Sequence, residues 1–186
     1  MGKLYVVKVY ADCSFNRQRP IGDAFGIVEI PANTYVLLDV SYEGLQNVSF
    51  FKYLKANDLE AISLANDGSG YSIGDNVMGA ISHLTGLRYL NIEQSDISDK
   101  GIGKISGFKE LRSLNVSHSL VTPRSAKIVG TFSKLYSLEM DGLKIDDRAI
   151  ADLAGLKELR SGFFRGGVIT AAGVKSMKDW NKLIFL

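Results

Sequence analysis

Few side chains in this chain of 186 residues stand where covalent or metal chemistry would need them. A reactive thiol needs a neighbouring base, and Cys13 has no histidine near it in sequence. His83 and His118 lie too far apart to read as a metal-binding or catalytic pair. The stretch NDGSGYSIGDN holds Asp67, Gly68, Gly70, Gly74 and Asp75, the residue types of a phosphate cradle or a calcium loop. It satisfies neither G-x-x-x-x-G-K-S/T nor D-x-D/N-x-D/N-G, and reads instead as an expanded loop. Gly166 and Gly167 read as a turn. With no nucleophile–base pair and no carboxylate dyad, the sequence predicts no catalysis, no metal and no cofactor. What remains is recognition chemistry, carried by polar and aromatic residues that recur at one spacing.

That spacing is 24. Leu87, Leu111, Leu135, Leu159 and Leu183 fall on it, as do Leu90, Leu114, Leu138, Gly162 and Leu186. Ile92, Val116, Met140 and Phe164 form a third column, and Ile97, Val121, Ile145 and Ile169 a fourth. Two degenerate rows precede these. Tyr35, Leu38, Val40 and Leu45 begin the first, in which Phe50 and Tyr53 match Ile102 and Ile105. Leu59, Ile62 and Leu64 begin the second, in which Ile73 comes late because of the glycine-rich insert. Each L-x-x-L-x-L alternates and so predicts a short strand. Each second half predicts a short helix opened by Ser98, Thr122, Asp146 or Thr170 as N-cap. Pro123 suits the first helical position, Asp99 and Asp147 suit the first turn, and Gly107 and Gly155 read as helix-ending residues.

A repeat of this length with this pattern resembles the leucine-rich repeat family, closest to the kind whose repeat runs on into I-T-D-x-G-L. The resemblance implies an α/β solenoid with a parallel sheet on its concave side and short helices on its convex side. It also implies that the concave face holds another protein or peptide. Residues alternating with the leucines then line that face in three columns. The contact residues expected there are Tyr89, Asn91, Glu93, Asn115, Glu139, Asp141, Phe163 and Arg165. Asp39, Glu93, Glu139 and Asp141 make the face acidic and suggest a basic partner surface. The alternative is a solvated polar face that needs no partner.

The N-terminal 34 residues carry none of this pattern. Residues 3–10 and 24–30 read as a pair of strands around an exposed turn, NRQRPIGD. The expected organisation is therefore a hairpin cap over 1–34 and a repeat array over 35–186. At the other end WNKLIFL stops at the second leucine of a new row. Trp180, Ile184 and Phe185, with Phe163 beside them, are expected to form an open apolar edge. Such an edge would be the cut end of a longer array, as in a fragment of a larger receptor or ligase adaptor, or the meeting surface of a homodimer. The bland alternative is that the segment folds back over the last repeat. A net charge of +2 with well-mixed signs gives no nucleic-acid arm and no membrane-binding face. A lone cysteine excludes a disulfide framework, and no apolar run reaches the length of a spanning helix. A soluble, cytoplasmic chain is the expectation.

Overall fold

The computed structural model describes residues 2–9, 15–23, 35–65 and 73–186. Among them eight strands form one sheet. β3 (Tyr35–Val40), β4 (Ala61–Ser63), β5 (Tyr89–Asn91), β6 (Ser113–Asn115), β7 (Ser137–Glu139) and β8 (Ser161–Phe163) run parallel in sequence order. Their register matches the repeat: Leu38 faces Ile62, then Leu90, Leu114, Leu138 and Gly162. The opposite layer holds α1 (Tyr42–Gln46), α2 (Asp75–Ile81), α3 (Asp99–Lys104), α4 (Ala126–Val129), α5 (Asp147–Asp152) and α6 (Ala171–Ser176). Rows of this kind bury their apolar side only against neighbours, and Leu87, Leu111, Leu135 and Leu159 are all fully buried. A further column, Leu84, Phe108, Phe132, Leu156 and Trp180, is buried down its whole length and forms the floor of the core.

Where the sequence places a cap, a side-chain oxygen takes an orphan N–H. Ser98 accepts from the Lys100 N–H, Thr122 from Arg124, Asp146 from Ala149 and Thr170 from Ala172. The first-turn aspartates do more than face the helix dipole. Asp75 accepts from the backbone N–H (2.8 Å) and hydroxyl (2.7 Å) of Ser98, one row on. Asp99 holds Thr122 in the same way, and Asp147 holds Thr170. Pro123 stands where these rows have the aspartate, and in that row the Ser125 hydroxyl bonds back to Asp99 at 2.6 Å. Burial raises the Asp75 and Asp99 carboxyls, but these hydrogen bonds outweigh it and hold both below the ordinary value. Their contribution is therefore present at neutral pH and lost as acid protonates them.

Several expectations change. β1 (Gly2–Val9) pairs antiparallel with β3 on one side and with β2 (Phe15–Asp23) on the other. NRQRPIGD is thus a strand, not an exposed turn. It is the sheet's edge, where a proline's missing N–H breaks no ladder and charged residues are favoured. The expected strand over 24–30, Cys13 and most of the glycine-rich insert lie outside the described residues. Asp75, from that insert, is an inter-row clamp. In the first row Phe51 is fully buried and Phe50 packs partly buried against the core, stacked on Phe51 at 4.2 Å, whereas Tyr53 is exposed; residues 48–53 form a 3-10 turn of period three. Gly107 and Gly155 lie two residues beyond their helix C-caps with no positive φ, so they close turns rather than helices. Left-handed backbone appears instead at Gln94, His118, Gly142 and Gly166, one repeat apart, just after each strand.

Candidate functional site

The concave face is built by the residues that alternate with the core leucines and by those at the strand ends. At those ends Asn91 and Asn115 fold back, each accepting the N–H two residues on, Glu93 and Ser117, at 2.9 Å. That turns the Asn115 amide N–H₂ outward, where it donates to Glu93 Oε2 at 3.3 Å and to Glu139 Oε2 at 3.2 Å. Two carboxylates from rows on either side are thus held by one amide. Glu139 lies above the ordinary glutamate value because it is half-buried and because Glu93 and Asp141 repel its charge.

The next column forms its own ladder. Ser117 Oγ accepts from the Asp141 N–H at 3.1 Å, and Asp141 Oδ1 accepts from the Arg165 N–H at 2.8 Å. The Arg165 guanidinium closes on Asp141 Oδ2 through Nε (2.8 Å) and Nη2 (2.6 Å). Asp141 is consequently buried and paired, not an open contact, while the Arg165 side chain stays 83% exposed.

Tyr89 is buried as well. Although it alternates with core leucines, it is 2% exposed, in a small separate cluster with Leu37 and Ala61. Its hydroxyl meets that of Tyr136 at 2.7 Å, the rings edge-on at 6.4 Å. The expected contact set therefore divides. Asn91, Glu93, Asn115 and Glu139 are half-buried, Phe163 and Arg165 exposed, and Tyr89 and Asp141 closed off. Trp180 leaves the expected edge as well. It occupies the last rung of the core floor, stacked near Phe164 at 6.3 Å, and only Phe163, Ile184 and Phe185 remain exposed there.

One column escaped the sequence reading: Arg88, Arg112, Tyr136 and Arg160, the first variable position of L-x-x-L. Arg88 donates to the Tyr35 hydroxyl at 3.2 Å, and Tyr136 packs against the Tyr89 cluster. These contacts put the column on the concave rim at the strand starts. The signal was in the repeat, since three of the four residues are arginine. Of the two histidines, His83 Nε2 lies 3.1 and 3.0 Å from the Phe51 and Leu54 carbonyls and so carries a proton that joins rows. The His118 ring covers Gly142, where a β-carbon would come within 2.5 Å of it. Among the described residues no group of three or more His, Cys, Asp or Glu is placed to hold a metal ion, and no helix is long and apolar enough to cross a membrane.

Solved structures share this arrangement of strands inside and helices outside. An internalin from Listeria monocytogenes is similar over 81% of this chain, at 20% identity and a TM-score of 0.53. The leucine-rich repeat ectodomain of a plant membrane receptor kinase, GASSHO1/SCHENGEN3 from Arabidopsis thaliana in complex with CASPARIAN STRIP INTEGRITY FACTOR 2, is similar over 85%, at 13% identity and a TM-score of 0.55. The fold is that of a leucine-rich repeat solenoid. Actin-binding site 2 of leiomodin-1 is similar to the solenoid over 74% of this chain and 84% of its own, at 13% identity and a TM-score of 0.50. The chain spans 46% of the internalin and 19% of the plant ectodomain. No family model and no curated protein sequence matches it.

The raised Glu139 carboxyl yields a prediction about the solenoid. A folded-state value above the unfolded one means that the charged form costs stability once pH exceeds it. Glu139→Gln keeps the shape, removes the repulsion and should raise stability by up to about 1 kcal/mol at neutral pH, discounted because the group is partly solvated. The gain should vanish as pH falls below the ordinary glutamate value of 4.5. Thermal unfolding of both proteins across pH measures it, and an advantage that persists in acid would contradict this origin.

Proposed function

We propose that this solenoid is a non-catalytic protein-binding module whose concave face is the contact surface. One observation carries the reading: Glu93 and Glu139 are held side by side through Asn115, and no described residue forms an ion pair with either. Ionised groups kept where they repel each other work against folding, an arrangement that fits recognition better than packing. The exposed Phe163 and Arg165 on the neighbouring row are of the types that most often carry interface energy. The neighbours lend general support, since one was solved in complex with CASPARIAN STRIP INTEGRITY FACTOR 2 and another is named as an actin-binding site. The partner is a protein or peptide presenting basic groups to the strand ends. The finer repeat type, I-T-D-x-G-L-like, and a soluble, cytoplasmic setting belong to the same reading.

The test is capture of a purified binding partner by the parent and by variants. Phe163→Ala and Glu93→Lys should each weaken binding about tenfold or more, the scale of a central contact. Lys127→Glu on the convex side should not. Unchanged capture by both concave variants would move the site elsewhere.

A second reading rests on the last repeat, where Val168, Val174, Ile184, Phe185 and Leu186 are all more than half exposed. Leu186 is 64% exposed in the column where Leu114 and Leu138 are fully buried. Phe185 bridges Ser161 in parallel, next to the exposed Phe163. Homodimerisation through this edge should give a concentration-dependent mass in light scattering, abolished by Phe185→Asp. A constant monomer mass for both proteins would remove the reading.

A further inference from the structure

Donor groups gather on the rim where the strands start. The main chain fixes who is next to whom: the Arg112 N–H donates to the Arg88 carbonyl at 2.7 Å and the Tyr136 N–H to the Arg112 carbonyl at 2.8 Å. Arg88, Arg112 and Tyr136 thus leave one column on adjacent rows, and all are half-buried. Arg88 Nη1 donates to the Tyr35 hydroxyl at 3.2 Å, its guanidinium lying 5.4 Å from the centre of that ring. The Tyr136 hydroxyl meets that of Tyr89 at 2.7 Å. Burial pushes the Tyr89 hydroxyl up, while Tyr136, Arg112 and Arg88 act the other way, so both guanidiniums stand within electrostatic reach of the tyrosine pair.

A guanidinium offers donors and no acceptor, and the carboxylates around these two are already engaged. Glu60, beside Arg88 on the column, turns its Oε2 to the Val36 N–H at 3.0 Å. Glu110, which feels both arginines, accepts from Lys134 Nζ through both oxygens at 2.6 and 2.7 Å. No ion pair among the described residues involves Arg88 or Arg112.

We infer that Arg88, Arg112, Tyr35 and Tyr136 form a subsite for a carboxylate carried by an acidic side chain of the partner, with Tyr89 positioning Tyr136. The planar fork of an arginine matches the two oxygens of a carboxylate. It matches a phosphate as well, and charge decides between them. Glu60 and Glu110 repel a phosphate monoester, at roughly −1.5 to −2, more than they repel a singly charged carboxylate. The inference rests on the concave face being the contact surface. It adds that the partner brings acidic groups to the strand starts as well as basic groups to the strand ends.

Titration of the isotope-labelled chain with acetyl-Gly-Glu-Gly-amide, followed on the arginine Nε–Hε signals, tests it. The signals of Arg88 and Arg112 should shift saturably. Those of Arg124 and Arg148, exposed on the helix side, should not, and the matching glutamine peptide should shift none. Arg112→Gln should weaken the binding read at Arg88 about tenfold, the worth of one charge-assisted pair. Arg124→Gln, the same change of charge, should leave it as it was. Arg112→Lys should fall between the two, because it keeps the charge and loses the fork. Equal shifts at all these arginines, or indifference to Arg112→Gln, overturns the inference. Tighter binding of the matching phosphoserine peptide overturns the choice of carboxylate. Arg112→Gln should also weaken capture of the purified partner. If it does not while Phe163→Ala and Glu93→Lys do, the concave-face reading stands and this subsite fails. If none of them does, both fail.

Discussion

Removing residues 1–30 should leave a protein that aggregates or unfolds without cooperativity. β1 pairs with β3 through six residues, Gly2 with Val40 to Val7 with Tyr35. Without it β3 becomes an edge with open N–H and C=O groups beside Val36, Leu37 and Leu38, all now buried. The repeats cannot compensate, because each contacts only its neighbours and the terminal one depends on a cap. The loss is on the order of 5 kcal/mol from apolar exposure and unpaired backbone together, a large share of the roughly 5–15 kcal/mol that holds a domain. Urea denaturation with light scattering on the same samples measures both symptoms. A truncated protein as stable and as monomeric as the parent would mean that β1 and β2 decorate the array rather than cap it.

The second large effect lies in the last complete row. Gly162 sits where other rows have Leu90, Leu114 and Leu138, and Phe164 sits where they have Ile92, Val116 and Met140. A β-carbon on Gly162 would fall 2.8 Å from Phe164 Cε2 and 3.2 Å from its Cζ. The phenyl ring therefore fills the space the leucine vacates, and it stacks towards Trp180 at 6.3 Å. Gly162→Leu alone should overpack the site and cost about 1–3 kcal/mol. Phe164→Ile alone should leave a cavity and cost a similar amount, roughly 1–3 kcal/mol. Together they restore the arrangement of the other rows and remove a strand glycine, so the double variant should lie near the parent. The coupling expected is about 2 kcal/mol or more in a double-mutant cycle. Additive losses would show that the two positions do not compensate each other.

Much of this protein was legible because its information is local and repeated. Leucines at a spacing of 24 announce rows, alternation announces strands, and a serine, threonine or aspartate before an apolar helix stripe announces an N-cap. All four predicted caps hold their N–H groups. These features depend on φ/ψ preference and on burial of one side, which a short segment decides by itself.

What tertiary structure decided is contact between rows. Alternation puts Tyr89 on the sheet's concave side, but it cannot say that Leu37, Ala61 and Tyr136 gather round it and close it off. Asp141 has the same spacing as the open Glu93, yet an arginine one row later turns it into the buried half of an ion pair. Asp99 and Asp147 look like helix-dipole residues, and Asp75 like part of a loop, until the next row's cap is found within their reach. The edge strand β2 reads as a turn from its proline and glycine, because only its position at the sheet's margin makes them tolerable. In each case the residue's own preference is weak, and the deciding energy comes from a neighbour on another strand or in another row.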